Sequence, residues 1–336
     1  MATTDDRRRM ADQESDRVSA TEQWRAVRKF ALRAAAFVAA IAAGHVAIAV
    51  ALPTARAGYL AAIVDKQARL QSLASPKVVF VGGSNLSFGL DTPELERRLG
   101  RPVANMGLGI NMGLRFMLDS VVERVGAGDL VVVSPEYHFF YGLFNGDDEL
   151  FDVLEAWPEG WRYVRSPEQW RILVRYLQPY AKRKLTRRLA SYFRTPDANC
   201  LYCRKAFDEY GDLFPQLTME PEPIAHMSLL RGGDRNAPVD RACIDGINRF
   251  AAQATEAGAT VVFLYPPVPD QQFEDMSEKI EKLHARLERD LDVAILDPPS
   301  ANVYPMELFF DWVYHLTGEG RARRTRDLVD KLSPLI

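Results

Sequence analysis

Short runs of consecutive apolar residues alternate with helical patterns along most of this chain. A run that is apolar at every position, rather than at every second one, is typical of a strand buried on both faces of a parallel sheet. The first three such strands are predicted at residues 77–81, 103–106 and 129–133. Helical spacing of apolar residues separates them, so the segment 77–133 predicts the order β-α-β-α-β.

The same alternation returns in the last third of the chain. The elements predicted there are a helix at 240–257, a strand at 259–265, a helix at 272–290, a strand at 293–296 and a helix at 318–332. Together the two parts predict an α/β fold with three α/β/α layers around a parallel sheet of about five strands. The residues between them, 137–238, are rich in aromatic side chains and predict a helical insertion.

An uncharged stretch precedes the α/β pattern. Residues 34–55 carry no formal charge and are rich in Ala, Val and Ile. As a helix this stretch reaches about 33 Å, enough to cross a bilayer core of about 30 Å. The cations on its N-terminal side are Arg25, Arg28, Lys29 and Arg33. By the positive-inside rule they predict a cytoplasmic N-terminus and an extracytoplasmic C-terminal part.

These signals predict a single-pass protein of the cell membrane. Its regions are a cytoplasmic tail at 1–29, a transmembrane signal-anchor helix at 30–55, a stalk helix at 56–76 and an α/β domain at 77–336. Two alternatives for the apolar stretch stay open. Ala55-Arg56-Ala57 has the small-x-small form of a signal-peptide cleavage site, and an alanine-rich helix also suits the interior of a soluble domain.

Composition and charge exclude several classes of protein. With 47% hydrophobic and 26% charged residues the chain is globular rather than disordered. A net charge of −3 gives no overall attraction to nucleic acid, and no nucleic-acid partner is expected. One segment, 162–194, holds ten Lys or Arg and a single acid, Glu168. It is either a solvated helix face or a contact for lipid headgroups or an anionic polymer.

The sequence gives little support for a metal or cofactor site. Cys200-Leu201-Tyr202-Cys203 has the spacing of redox and metal sites, but no second pair accompanies it. A disulfide within the pair, or one involving Cys243, is therefore favoured over zinc. The remaining candidates have no convincing partners: His138, His226 and His284. A glycine pattern at 107–113 follows the second strand and lacks the spacing of a dinucleotide-binding loop.

Ser84 is the most informative residue of the chain, because it follows the first predicted strand directly. The carboxyl edge of an open α/β sheet is where ligands bind. A serine hydroxyl becomes a nucleophile only beside a base that a carboxylate orients. His315 and Asp311, just before the last helix, supply that base and that carboxylate. The alternatives are that Ser84 only caps the following helix and that His315 bonds only to backbone.

Acyl transfer also needs hydrogen-bond donors for the oxyanion that develops on the substrate. Gly107 and Gly109 lie in a turn after the second strand and can offer backbone N–H groups. The N–H of Ser84 or Asn85 can supply another.

These residues resemble the membrane-anchored branch of the SGNH (GDSL-like) hydrolase superfamily, whose sheet is flavodoxin-like. The resemblance covers roughly residues 77–136 and 240–332. It places the nucleophile at Ser84, an oxyanion donor at Gly107, and the remaining two triad members at Asp311 and His315.

The chain departs from that family in two places. The Asp–His spacing is one residue longer than usual. The block that brings an asparagine after the third strand reads Ser134-Pro135-Glu136-Tyr137 here, so one oxyanion donor is missing or replaced. Asn85 and Asn111 are the expected replacements.

The resemblance implies a serine esterase or O-acyltransferase acting on acyl esters, acetyl esters above all, of a cell-surface glycan. Its partners would be the lipid bilayer and a cell-surface polysaccharide or an acyl-donor protein, and it would need no cofactor or metal. One alternative is a catalytically inactive accessory or scaffold protein that works with a polytopic membrane acyltransferase. Another is a soluble nucleotide-binding protein.

Overall fold

The structure, a computed structural model, describes residues 4–52, 55–192, 200–230 and 238–336, with side chains from residue 24 onward. The chain forms two compact units, Met1–Leu52 and Pro53–Ile336.

The first unit is a single helix, α1 (Thr4–Ala51). Its part from Trp24 to Ala51 is long and apolar enough to cross a membrane, and none of it is buried. Large apolar side chains such as Phe30 and Phe37 are mostly exposed. An exposed apolar helix of this length is typical of a membrane span, and a signal sequence near the N-terminus has the same properties. The helix ends four residues before the predicted end of the anchor at residue 55.

The second unit is built on a parallel sheet of five strands in the order β2-β1-β3-β4-β6. These strands are β1 (Val78–Gly82), β2 (Val103–Asn105), β3 (Leu130–Ser134), β4 (Thr260–Phe263) and β6 (Ala294–Ile295). The α/β fold and the five-stranded parallel sheet are therefore as the sequence predicts. Two further strands, β5 (Val268–Pro269) and β7 (Val303–Tyr304), pair in a small separate sheet.

Helices follow or precede the strands as expected. They are α2 (Ile63–Ser72), α3 (Ser84–Ser87), α4 (Thr92–Leu99), α5 (Leu114–Val121), α6 (Leu150–Ala156), α7 (Pro167–Ala190), α8 (Arg241–Glu256), α9 (Asp270–Asp290) and α10 (Gly318–Leu332). α6 and α7 belong to the insertion, which is otherwise made of short 3₁₀ turns and loops in its described residues.

The core lies against both faces of the central strands. On one face, Phe80 and Val132 pack with Leu95 of α4 and Leu328 of α10. The residues of β1 and β3 that point the other way are also buried. This double burial explains why these strands are apolar at consecutive positions.

The predicted stalk helix at 56–76 contains a 3₁₀ turn and α2 in the structure. A 3₁₀ turn at Tyr59–Ala62 leads into α2, and Ile63 and Leu70 are almost fully buried. The Lys66 ammonium group is buried as well and donates to the carbonyl oxygen of Asn105, 3.0 Å away at the end of β2. α2 is thereby attached to the sheet.

The basic run of the insertion is largely paired with acids. Arg162 and Arg165 both contact Glu123. Arg187 lies 2.9 Å from Asp152, which also contacts Arg183. Local neutralisation of this kind favours the interpretation of the run as a solvated, ion-paired helix face.

The expected disulfide is not formed among the described residues, which include all three cysteines. Cys243 is fully buried within α8. The Cys203 Sγ lies 2.9 Å from the carbonyl oxygen of Cys200. The backbone of this turn, rather than the second sulfur, is thus the contact of the Cys203 thiol.

Candidate active site

Two glycines let the chain turn sharply from β1 into α3. A Cβ atom on Gly82 would lie 2.1 Å from the carbonyl oxygen of Ser134, and one on Gly83 would lie 2.5 Å from Glu136 Oε1. Any larger residue would push β1 away from the neighbouring β3. The turn places Ser84 at the first position of α3, at the carboxyl edge of the sheet.

Ser84, His315 and Asp311 form a continuous hydrogen-bonded chain. The Ser84 Oγ lies 2.8 Å from His315 Nε2. On the other side of the imidazole ring, His315 Nδ1 lies 2.7 Å from Asp311 Oδ1. Both distances are within hydrogen-bond reach for a nucleophile, a base and a carboxylate that orients the base.

Backbone hydrogen bonds and a stacked ring position His315 in the loop before α10. The backbone N–H of His315 donates to the Trp312 carbonyl at 3.0 Å, and the carbonyl of His315 accepts from the N–H of Phe310 at 2.7 Å. The Phe88 ring stacks on the imidazole with a centroid distance of 3.7 Å and an interplanar angle of 1°. This tight turn brings Asp311 beside His315 in spite of the longer spacing between them.

Asp311 is held as an anion. Burial raises the pKa of its carboxyl group, but hydrogen bonds from His315 and from the Tyr202 hydroxyl outweigh burial and leave the pKa below its usual value. Tyr202 comes from the insertion. Sequence analysis assigned it no role, because its position beside Asp311 depends on how the insertion folds back over the sheet edge.

A second carboxyl group, that of Glu136, contacts Ser84. Its Oε1 lies 3.0 Å from Ser84 Oγ and accepts from the N–H of Asn85 at 2.9 Å. The side chain is fully buried, and burial raises its pKa, against the opposing effects of Asn85, His315 and Ser84. In the sequence, Glu136 was noted only as a departure from the family pattern.

The residues predicted as oxyanion donors take different positions. Gly107 packs so closely that a Cβ atom would lie 2.3 Å from Leu86 Cβ, and its N–H donates to Asn105 Oδ1 at 3.0 Å. The Asn85 side chain turns away from the site and donates to the carbonyl oxygen and hydroxyl of Ser134. Its side chain therefore does not stand in for the missing asparagine in this arrangement.

A residue of the insertion, Asp212, stabilises the turn at Gly107. The amide of Asn105 donates to Asp212 Oδ1 at 2.8 Å. Asp212 is fully buried and also accepts from Arg321 of α10 at 3.2 Å. Residues from three distant parts of the chain thus fix this turn.

A buried arginine connects α10 to α3, the short helix that begins at Ser84. Arg324 donates to the carbonyl oxygen of Asn85 at 2.6 Å. It also reaches the hydroxyl of Ser134, at 3.5 Å. Burial lowers the pKa of this guanidinium to about 10, which leaves it a cation at neutral pH. This position of Arg324 could not be predicted from the sequence, since an arginine in an amphipathic helix is usually exposed.

A cavity of about 670 Å³ lies over the triad. This volume is within the usual range for small-molecule sites. Gly109 and Asn111 line it, and Asn111 bonds to the carboxyl group of Glu149. The other acidic and basic side chains of its wall are those of Glu136, His138, Asp152, Arg187, Asp311 and His315. Within the described residues no group of His, Cys, Asp or Glu side chains is arranged to hold a metal ion.

Comparison with protein-family models gave no match, and comparison with curated proteins gave none either.

Proposed function

We propose that this chain is a membrane-anchored serine esterase or O-acyltransferase of the SGNH type. The single observation that carries the proposal is the hydrogen-bonded chain from Ser84 through His315 to Asp311. The position of Ser84, after the first strand of a five-stranded parallel sheet, supports it. In this proposal the helices form outer layers on both faces of the sheet.

The reaction would proceed in two halves. Ser84 Oγ attacks the acyl carbonyl carbon while His315 Nε2 takes the hydroxyl proton. The tetrahedral intermediate then breaks its ester bond, and His315 returns the proton to the leaving alcohol. In the second half, water or the hydroxyl group of an acceptor attacks the acyl-serine, with His315 again as base. The products are a free acid or a new ester, together with regenerated Ser84.

The cavity supports a polar, hydroxyl-bearing substrate. Glu149 and Asp152 can accept hydrogen bonds from sugar hydroxyl groups, and Arg187 and Asn111 can bind further oxygens. An O-acetylated cell-surface glycan, with a polysaccharide or an acyl-donor protein as partner, suits this wall. The acetyl group and the glycan come from the family resemblance.

We place the second unit outside the cytoplasm. The apolar helix from Trp24 to Ala51 supplies the anchor, and the cations before it favour a cytoplasmic N-terminus.

An inactive accessory protein of the same fold is the second candidate. One observation favours it: the N–H of Asn85, a predicted oxyanion donor, is occupied by Glu136 Oε1. Such a protein would keep the fold and the partner contacts without turning over an ester.

Labelling with a fluorophosphonate probe separates the two candidates. We expect the full-length protein in detergent to be labelled, and Ser84→Ala to remove the label. Ser277→Ala, which changes a serine of α9 outside the cavity, is the matched control and should leave labelling intact. A folded wild-type protein that resists the probe would rule out the enzyme and favour the accessory protein.

A further inference from the structure

Glu136 has one oxygen with a partner and one without. Oε1 accepts from the N–H of Asn85, whereas Oε2 has no hydrogen-bond partner among the described residues. His138 Nδ1 lies 4.0 Å from Oε2. The Glu136 side chain is fully buried, and both residues line the cavity.

An ionised carboxylate in this position would leave a buried, charged oxygen without a hydrogen bond. That arrangement costs several kcal/mol, because neither water nor a donor solvates the charge. A proton on Oε2 lowers the cost, since an unpaired neutral hydroxyl group costs less to bury than an unpaired charge. Oε1 then remains a carbonyl oxygen that accepts from Asn85.

The proton also suits the nucleophile. Ser84 Oγ–H has two acceptors within reach, His315 Nε2 at 2.8 Å and Glu136 Oε1 at 3.0 Å. A carboxylate would compete strongly with the imidazole for this proton, whereas the carbonyl oxygen of a neutral acid is a weaker acceptor. A neutral Glu136 thus leaves the serine proton directed at its base.

We propose that Glu136 is a neutral carboxylic acid whose Oε2–H donates a hydrogen bond to the substrate oxyanion. This inference rests on the proposed function and names the donor that replaces the family's asparagine. A buried carboxyl group that stays protonated is a known form of oxyanion donor. Glu136 touches the reacting Ser84 Oγ, so the role is catalytic.

Several groups face Glu136 from the elements packed around it. They are His315 of the loop before α10, Arg324 of α10, Tyr59 of the first 3₁₀ turn, Tyr314, and His138. Arg324 and a protonated His315 favour the carboxylate. The negative charge of the substrate oxyanion has the opposite effect and favours the protonated form of Glu136. This charge forms in the same step in which His315 becomes an imidazolium, so the two effects on Glu136 oppose each other. The acid can therefore stay neutral when the donor is needed.

Two substitutions in the full-length protein test the proposal, with hydrolysis of p-nitrophenyl acetate as the assay. Glu136→Gln keeps a neutral donor and should hold kcat/KM within about tenfold of the wild type. Glu136→Ala removes the donor and should lower kcat/KM by on the order of 10²–10³-fold. Equal losses of kcat/KM in the two variants would overturn the proposal, provided that cooperative thermal unfolding shows both variants to be folded.

The pH profile separates a donor from a spacer. Wild-type kcat/KM should fall at high pH as Glu136 loses its proton, whereas Glu136→Gln should lack that limb. If kcat/KM of the wild type and of Glu136→Gln showed the same dependence on pH over the whole alkaline range, the proposal would be contradicted.

A readout without turnover tests the protonation state directly. The infrared difference spectrum of wild type minus Glu136→Gln at neutral pH should contain the carbonyl band of a protonated carboxyl group. A carboxylate band in its place would overturn the inference even if Ser84 is labelled by the fluorophosphonate. Failure of that labelling, by contrast, would overturn the proposed enzyme and the oxyanion role together, whatever the infrared result.

Discussion

The loop before α10 and the loop after β3 each bring one carboxyl group to the site around Ser84, in opposite environments. Asp311 in the loop before α10 accepts hydrogen bonds from His315 and Tyr202, which hold its pKa below the usual value. Glu136 in the loop after β3 is fully buried with one unpartnered oxygen, and burial raises its pKa. Two groups of the same chemistry are thus separated into an anion and, in our proposal, a neutral acid. Environment, rather than residue type, decides their roles.

The largest expected effect comes from replacing each of the two carboxyl groups by an amide. Asp311→Asn should lower kcat/KM by on the order of 10²–10⁴-fold, because a neutral amide cannot stabilise the imidazolium or fix the correct tautomer. Glu136→Gln, the same change from a carboxyl group to an amide, should lower kcat/KM by about tenfold at most. p-Nitrophenyl acetate hydrolysis measures both variants. Similar losses in the two would show that both carboxyl groups act as anions.

The two groups should also have opposite effects on the pH dependence of stability. The lowered pKa of Asp311 stabilises the folded state above its unfolded pKa of about 3.9, and this contribution is lost as pH falls through the folded value. The raised pKa of Glu136 acts in the reverse sense: its contribution is complete below about pH 4.3 and is lost as pH rises through the folded value.

Denaturant unfolding of the full-length protein at several pH values measures this difference. The destabilisation caused by Asp311→Asn should shrink from neutral to acidic pH. Glu136→Gln should gain in unfolding free energy relative to the wild type as pH rises from 4 to 8. Each unit of pKa shift corresponds to about 1.4 kcal/mol. Parallel pH profiles for the two variants would contradict the assignment.

The smallest effect concerns the hydrogen bond that the insertion gives to Asp311. Tyr202→Phe keeps the ring beside Phe88 and removes only the hydroxyl that donates to Asp311 Oδ2. We expect kcat/KM to fall by about 3–10-fold, since one hydrogen bond in this partly open position contributes about 0.5–1.5 kcal/mol. Tyr192→Phe is the control: Tyr192 is an exposed tyrosine just after the end of α7, and its substitution should leave kcat/KM unchanged. No loss in Tyr202→Phe would show that His315 alone holds Asp311.

Much of the framework follows from the sequence because its signals are local. Consecutive apolar residues predict the buried strands, and the parallel sheet confirms them. Ser84 follows a strand and two glycines, so its place at the sheet edge needs no knowledge of distant residues. Asp311 and His315 lie within one turn of each other and were found as a pair for the same reason.

The role suggested for Glu136 could not be found in this way. β1 and β3 pair in register with Gly82 opposite Ser134, so the residues two positions further on, Ser84 and Glu136, meet beyond the strand ends. The absence of a side chain on Gly83 leaves room for the carboxyl group. Neither the strand order nor this register is visible in the local pattern of apolar residues.

The sequence by itself determined the apolar N-terminal helix, the five parallel strands and the three residues that form the hydrogen-bonded chain at Ser84. Each depends on periodicity, composition or short spacing along the chain. Only the tertiary structure decided which groups surround that serine: Glu136 from the loop after β3, Arg324 from α10 and Tyr202 from the insertion. Their burial and hydrogen bonds set the charges of the site, and those arise only when distant segments pack together.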